Sequence, residues 1–238
     1  MIIRTRSLFE IDLKKNHFSD ALTIFCFVCA IPSIVSSIVL YHKLRDTIIY
    51  VESSKQLYSI YILSLIICIV VHELGHGAVV VSYRGYTTDV GIITLGIIPL
   101  GFFLGYLENT RTPQIGKCLI SIAGISLNCA FACVLYLFSL RFPILYIPAT
   151  FNMIAGITNL IPGRFLDGGI TLETMCGIRH LHRKAWNSLI KARFRKKAID
   201  NHRNKIQIIV LFFVAILGDI AAFLMILSYL LIPIFVLF

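Results

Sequence analysis

A chain of 238 residues with 58% hydrophobic and 14% charged residues, at mean hydropathy +0.85, cannot cover its apolar surface in water. Soluble domains run at about a quarter charged, so the bilayer is the solvent this composition fits. The net charge of +10 then rests on few residues, and their clustering reports topology. Seven cysteines, an odd number, lie mostly in apolar runs (Cys26, Cys29, Cys68, Cys129, Cys133) and read as small buried hydrophobes, not a disulfide framework.

Residues 1–20 form a basic N-terminal segment with Arg4, Arg6, Lys14 and Lys15. Residues 21–41 carry no charge over 21 positions and predict a first transmembrane helix. At 1.5 Å per residue it would be about 30 Å long, and it lacks the shorter core and cleavage site of a signal peptide. A second apolar run, 57–81, is uncharged until His72, Glu73 and His76.

Next comes 90–107, where four glycines and Pro99 interrupt a run rich in isoleucine. Each glycine costs a helix about 1 kcal/mol against alanine, while β-branched residues favour extended chain. Non-helical backbone at membrane depth must be covered by protein or line a cavity, so 90–107 predicts a membrane re-entrant β-like hairpin. Residues 118–140 and 142–163 predict two further helices. The stretch 176–205 is basic and amphipathic, with Ile178, Leu181, Ala185, Leu189 and Ala192 at three- and four-residue steps. Anionic lipid is its expected partner, and nucleic acid is not. The C-terminal membrane segment 206–238 would make a helix of about 50 Å, so one crossing or two both fit. The expectation is an all-α polytopic membrane protein of five or six transmembrane helices with one hairpin.

Charge placement supports that order. With the N-terminus in the cytoplasm and the hairpin returning to its own side, 18 of the 22 Lys and Arg fall on the cytoplasmic side. If 90–107 crossed instead, the eleven basic residues of 164–205 would move outside.

His72-Glu73-Leu74-Gly75-His76 is an H-E-x-x-H pattern. Spacing i, i+4 sets both imidazoles on one helix face, as two ligands of a tetrahedral zinc require. Glu73 can act as general base on a water that zinc acidifies to a pKa of about 7. Chance expectation for such a pattern at this composition is about 0.01. An acid inside lipid costs roughly 3 kcal/mol, which favours a functional reading over polar residues that only bridge helices. A catalytic zinc needs a third protein ligand, and Asp167 is the best candidate. It follows Pro162, which ends a helix, and precedes Gly168-Gly169, where an Asp-Gly turn in a solvated loop is the plainer alternative. In the re-entrant topology both motifs finish at the same membrane face.

HELGH on a membrane helix, followed by Asn159-x-x-Pro162 and Leu166-Asp167-Gly168-Gly169, resembles the site-2 protease family of intramembrane zinc metallopeptidases. The resemblance covers about residues 57–175 and implies one zinc per chain. It implies His72, His76 and Asp167 as metal ligands, Glu73 as catalytic base, and Asn159 as a substrate-binding residue. Gly124-x-x-x-Asn128 is similar to a third family element, which makes Asn128 a second substrate-binding candidate; an interhelical hydrogen bond is its plainer reading. The hairpin resembles one thought to present substrate as an added strand. The family commonly has proline directly after the motif asparagine, where Leu160 stands here, and 238 residues leave no room for a soluble gating domain. Small members of this kind are similar to bacterial peptide-processing enzymes, which implies a bacterial cell membrane.

The expected activity is hydrolysis of a peptide bond in a membrane-embedded peptide or single-span protein. A non-catalytic membrane protein, such as a peptide-immunity factor or small transporter retaining the motif, is the alternative. A zinc transporter would need ligands stepping across the bilayer, whereas these collect at one face. Cys26-x-x-Cys29 lacks a matching second pair and reads as packing. His180 and His182 read as solvated, and Asp219 as a cavity or pairing residue.

Overall fold

The computed structural model describes residues 3–10, 17–44, 54–95, 98–107, 109, 111–163 and 166–177, together with positions 181, 183, 213, 216–220 and 223. The basic segment 176–205 and the C-terminal segment 206–238 fall almost wholly outside the described residues. The chain divides into two compact units, Met1–Ile157 and Thr158–Phe238.

The first unit is mostly helical. Strand β1 (Ile3–Glu10) leads to helices α1 (His17–Leu44) and α2 (Ser54–Ser82). Strands β2 (Tyr86–Leu95) and β3 (Ile98–Leu107) follow, then helix α3 (Gln114–Ser139) and, after a 3-10 turn at Pro143–Leu145, helix α4 (Tyr146–Leu160). Among the described residues α1, α2 and α3 are the three helices long and apolar enough to cross a membrane. α4 is 15 residues, about 22 Å, and shorter than the run 142–163 from which it forms.

Large apolar side chains on α1 and α2 point outward, among them Phe27, Ile31, Leu63 and Ile66, which suits lipid as solvent. Their inward faces are small and polar. Cys26, Ala30, Ser33 and Ser37 recur at helical spacing on α1 and are buried. Ser33 Oγ donates to the Ser126 carbonyl of α3 at 3.4 Å, and Cys26 Sγ lies 3.9 Å from the Ala123 carbonyl. In lipid such helix contacts come from close packing of small residues and interhelical hydrogen bonds, since the tails are as apolar as leucine. Cys26 thus packs in a core with Val79, Val80, Leu119, Ile120 and Ala123, in keeping with the reading of its C-x-x-C as packing.

α2 and α3 are antiparallel neighbours, with His76 beside Ile120 and Cys68 beside Asn128. The segment between them therefore leaves and returns at one end of the helix pair. Within it β2 and β3 form an antiparallel hairpin, with Tyr86 opposite Leu107 and Leu95 opposite Ile98. Pro99, which has no N–H to give, sits beside a register irregularity on the outer strand, where sheets tolerate proline.

The β component is larger than the hairpin expected from sequence. β1, from the segment read as a basic leader, pairs antiparallel with β2 to give the order β1-β2-β3. Ile3 and Thr5 are good strand formers, but β1 exists through its pairing with β2, which no local pattern announces.

Candidate metal centre

α2 carries His72 and His76 one turn apart, and both are buried. Their Nε2 atoms lie 3.1 Å apart, with the rings nearly perpendicular at 79°. Two nitrogens on one tetrahedral zinc, each at 2.0–2.1 Å, stand about 3.4 Å apart, so this pair fits the ion within a few tenths of an ångström.

α3 supplies the surroundings of both rings from three positions four residues apart. The Ile120 carbonyl accepts a hydrogen bond from His76 Nδ1 at 2.6 Å. A carbonyl only accepts, so His76 Nδ1 carries a proton, and the ring presents Nε2 toward His72, the orientation usual for a metal-ligating histidine. Asn128 Nδ2 stands 3.2 Å from His72 Nδ1 and 3.7 Å from Cys68 Sγ. Between them lies Gly124, where an added Cβ would fall 2.7 Å from both His72 Cε1 and His76 Nε2. On the other helix Gly75 does the same service: its Cβ would meet the Ala123 carbonyl oxygen at 2.7 Å. The two imidazoles reach their positions because α2 and α3 cross on glycine.

Glu73 is half-buried beside the pair. Its Oε2 accepts a hydrogen bond from the Leu104 backbone N–H of β3 at 2.7 Å. Leu104 pairs with Val90, yet gives its N–H away from β2, so this bond takes nothing from the ladder. It fixes one carboxylate oxygen and with it the direction of the other.

The remaining sequence candidates fall in the second unit. Asn159 is the penultimate residue of α4, which stops at Leu160. Pro162 accounts for that stop without a proline at 160, because a proline disfavours helical backbone in the residue before it. Asp167 opens helix α5 (Asp167–Cys176), where the N-terminal dipole favours a carboxylate. Asp219 lies in a short described helical stretch.

Sequence reasoning missed three contributors. Ile120 and Leu104 act through their backbones, which no residue type advertises. Gly124 was visible as part of the G-x-x-x-N element, but not that it faces the histidines.

Paired imidazoles with an adjacent, oriented carboxylate stand together on an apolar helix, a donor set that suits a metal ion. Residues 60–144 match the model of Peptidase family M50, the site-2 proteases. A zinc metalloprotease of Methanocaldococcus jannaschii, MJ0392, is 30% identical over 128 residues, covering 51% of this chain and 35% of that protein. Residues 60–144 are thus similar to this family, and the stretch matched to the archaeal relative spans about a third of that protein's length.

Proposed function

We propose that the chain is an intramembrane zinc metalloprotease that hydrolyses a peptide bond in a membrane-embedded peptide or single-span protein. The observation that carries this is the Glu73 carboxylate, held by Leu104 N–H beside two imidazoles whose Nε2 atoms are 3.1 Å apart. When bound, zinc polarises a carbonyl oxygen and acidifies water.

The chain's own groups do the rest. His72 and His76 would hold the ion, and the Ile120 carbonyl keeps a proton on His76 Nδ1, on the far side of its ring. Glu73 takes the proton from the attacking water on the oxygen left open by the Leu104 bond, then delivers it to the leaving amine. Asp167 is proposed as the third ligand and Asn159 as a donor to substrate backbone, on the strength of their motif positions.

The hairpin is proposed to be re-entrant. Leu104 meets Glu73 nine residues before the end of α2, about 14 Å along the helix, so β3 runs back beside a candidate span. The cytoplasmic orientation rests on the placement of 18 of 22 basic residues, and the same charge in 176–205 is proposed to lie on anionic lipid. A bacterial cell membrane is proposed on the size resemblance.

The test is a Glu73→Gln chain purified beside wild type. Cleavage of a candidate substrate should vanish while zinc co-purifies at about one per chain. Undiminished cleavage in that variant ends the proposal. Zinc with no cleavage in wild type against any accumulating peptide favours the non-catalytic alternative.

A further inference from the structure

In the second unit, α4 ends at Leu160 and the chain returns to helix at Asp167. The turn between them closes on itself. The Gly163 N–H bonds back to the Ile161 carbonyl at 2.7 Å, and the Leu166 N–H bonds to the Gly163 carbonyl at 3.2 Å. Gly169 and Ile170 both donate to the Leu166 carbonyl, which starts α5. Gly168, directly after Asp167, approaches the Leu160 carbonyl so closely that no side-chain carbon fits between them. Closely packed backbone of this kind transmits a shift, so a displacement of Pro162 or Gly163 is carried to Asp167.

A second stretch of main chain touches this turn. Gly218 is buried within the described helical residues 216–220. A Cβ there would fall 2.5 Å from the Pro162 carbonyl oxygen, 2.6 Å from the carbonyl carbon and 3.0 Å from Gly163 N. All three are main-chain atoms, so no change of rotamer relieves the clash. Phe213, Leu217 and Ile220 recur at i, i+4 and i+7 and are exposed, as a lipid-facing stripe would be, and Gly218 stands off that stripe. Helix preference does not account for the residue, because glycine is a poor helix former and alanine a good one. Close approach does.

We infer that Gly218 is a positioning residue for the metal centre, through which the C-terminal segment braces the Pro162–Gly163 turn and so sets where Asp167 is presented. The inference rests on the reading of Asp167 as third ligand. A ligand that arrives at the end of a turn is held less precisely than ligands inside a helix, and main chain laid against the turn supplies the support.

The experiment uses the full chain in detergent with cobalt(II) alone as probe, since its visible absorption reports the number and kind of ligands. Gly218→Ala should weaken cobalt binding about 10–100-fold, the usual loss when the support of a metal ligand is removed. Its absorption should shift toward that of Asp167→Asn. A packing defect alone would lower the unfolding temperature and leave the wild-type absorption in place. Leu217→Ala, on the exposed side of the same stretch, should bind within about twofold of wild type. Coupling is reciprocal, so cobalt added to wild type should slow hydrogen exchange at 216–220 more than in α1, which carries none of the proposed ligands. The inference is overturned by wild-type affinity or wild-type absorption in Gly218→Ala, by an equal loss in Leu217→Ala, or by exchange at 216–220 that cobalt slows no more than in α1. Should Gly218→Ala not fold, the exchange measurement on wild type decides alone. Failure of the underlying reading looks different: Asp167→Asn then binds cobalt as wild type does, or wild type binds none.

Discussion

Glu73 Oε2 and the Leu104 backbone N–H are 2.7 Å apart, and this one bond ties the helix that carries the histidines to the outer strand of the sheet. The contact explains why a hairpin follows directly on the metal motif. A carboxylate among apolar helices needs a donor, and a strand edge turned away from its neighbour has one to give.

Leu104→Pro removes that donor without breaking a ladder bond, so Glu73 loses its anchor. Peptide cleavage should fall about 10–100-fold with zinc content unchanged. Leu104→Ala keeps the N–H and should retain most activity, at a stability cost of about 2–4 kcal/mol for a buried leucine. Cleavage rates and zinc stoichiometry of the two variants, measured together, check this.

Gly124→Ala should strip the site of metal, because its Cβ would sit 2.7 Å from both imidazoles. Gly75→Ala meets backbone instead, the Ala123 carbonyl oxygen, and should destabilise the α2–α3 pair by about 1–3 kcal/mol as overpacking does. Zinc content and thermal unfolding in detergent separate the two: metal loss with modest unfolding change for position 124, a lowered transition for position 75.

Asp167→Asn should weaken zinc at least about 10-fold while leaving α5 formed, since asparagine is also accepted near a helix start. Zinc affinity by competition with a chelator is the measurement. Unchanged affinity would remove Asp167 from the ligand set.

A control lies far along the helix from the histidines. Tyr136 is buried in α3, and its hydroxyl lies 3.1 Å from Thr150 Oγ1 of α4. Thr150 also donates to the Tyr146 carbonyl, so Tyr136→Phe strands no threonine donor. It should cost about 1 kcal/mol in unfolding and nothing in zinc binding. A change in zinc affinity would show coupling that the packing does not suggest.

Composition and local pattern determined much of this protein. Apolar runs place α1, α2 and α3, because a helix in lipid must be predominantly apolar over about 20 residues. The glycines and Pro99 of 90–107 mark extended chain where a helix would be weak, and β2 and β3 form there. His72, Glu73 and His76 declare themselves by spacing alone, since i, i+4 is one turn on one face.

Only the tertiary structure decided what stands around them. β1 became a strand because β2 offered it an edge, a relation between residues some eighty positions apart. Ile120, Gly124 and Asn128 surround the histidines because α3 lies antiparallel to α2 on two glycines, a match between helices rather than a property of either. Leu104 reaches Glu73 through its main chain, and every residue but proline has that N–H, so no sequence pattern could single it out. Which residue types stand at the site is local chemistry written in side chains; how they are oriented comes from backbone groups and close approaches that exist only once the chain has folded.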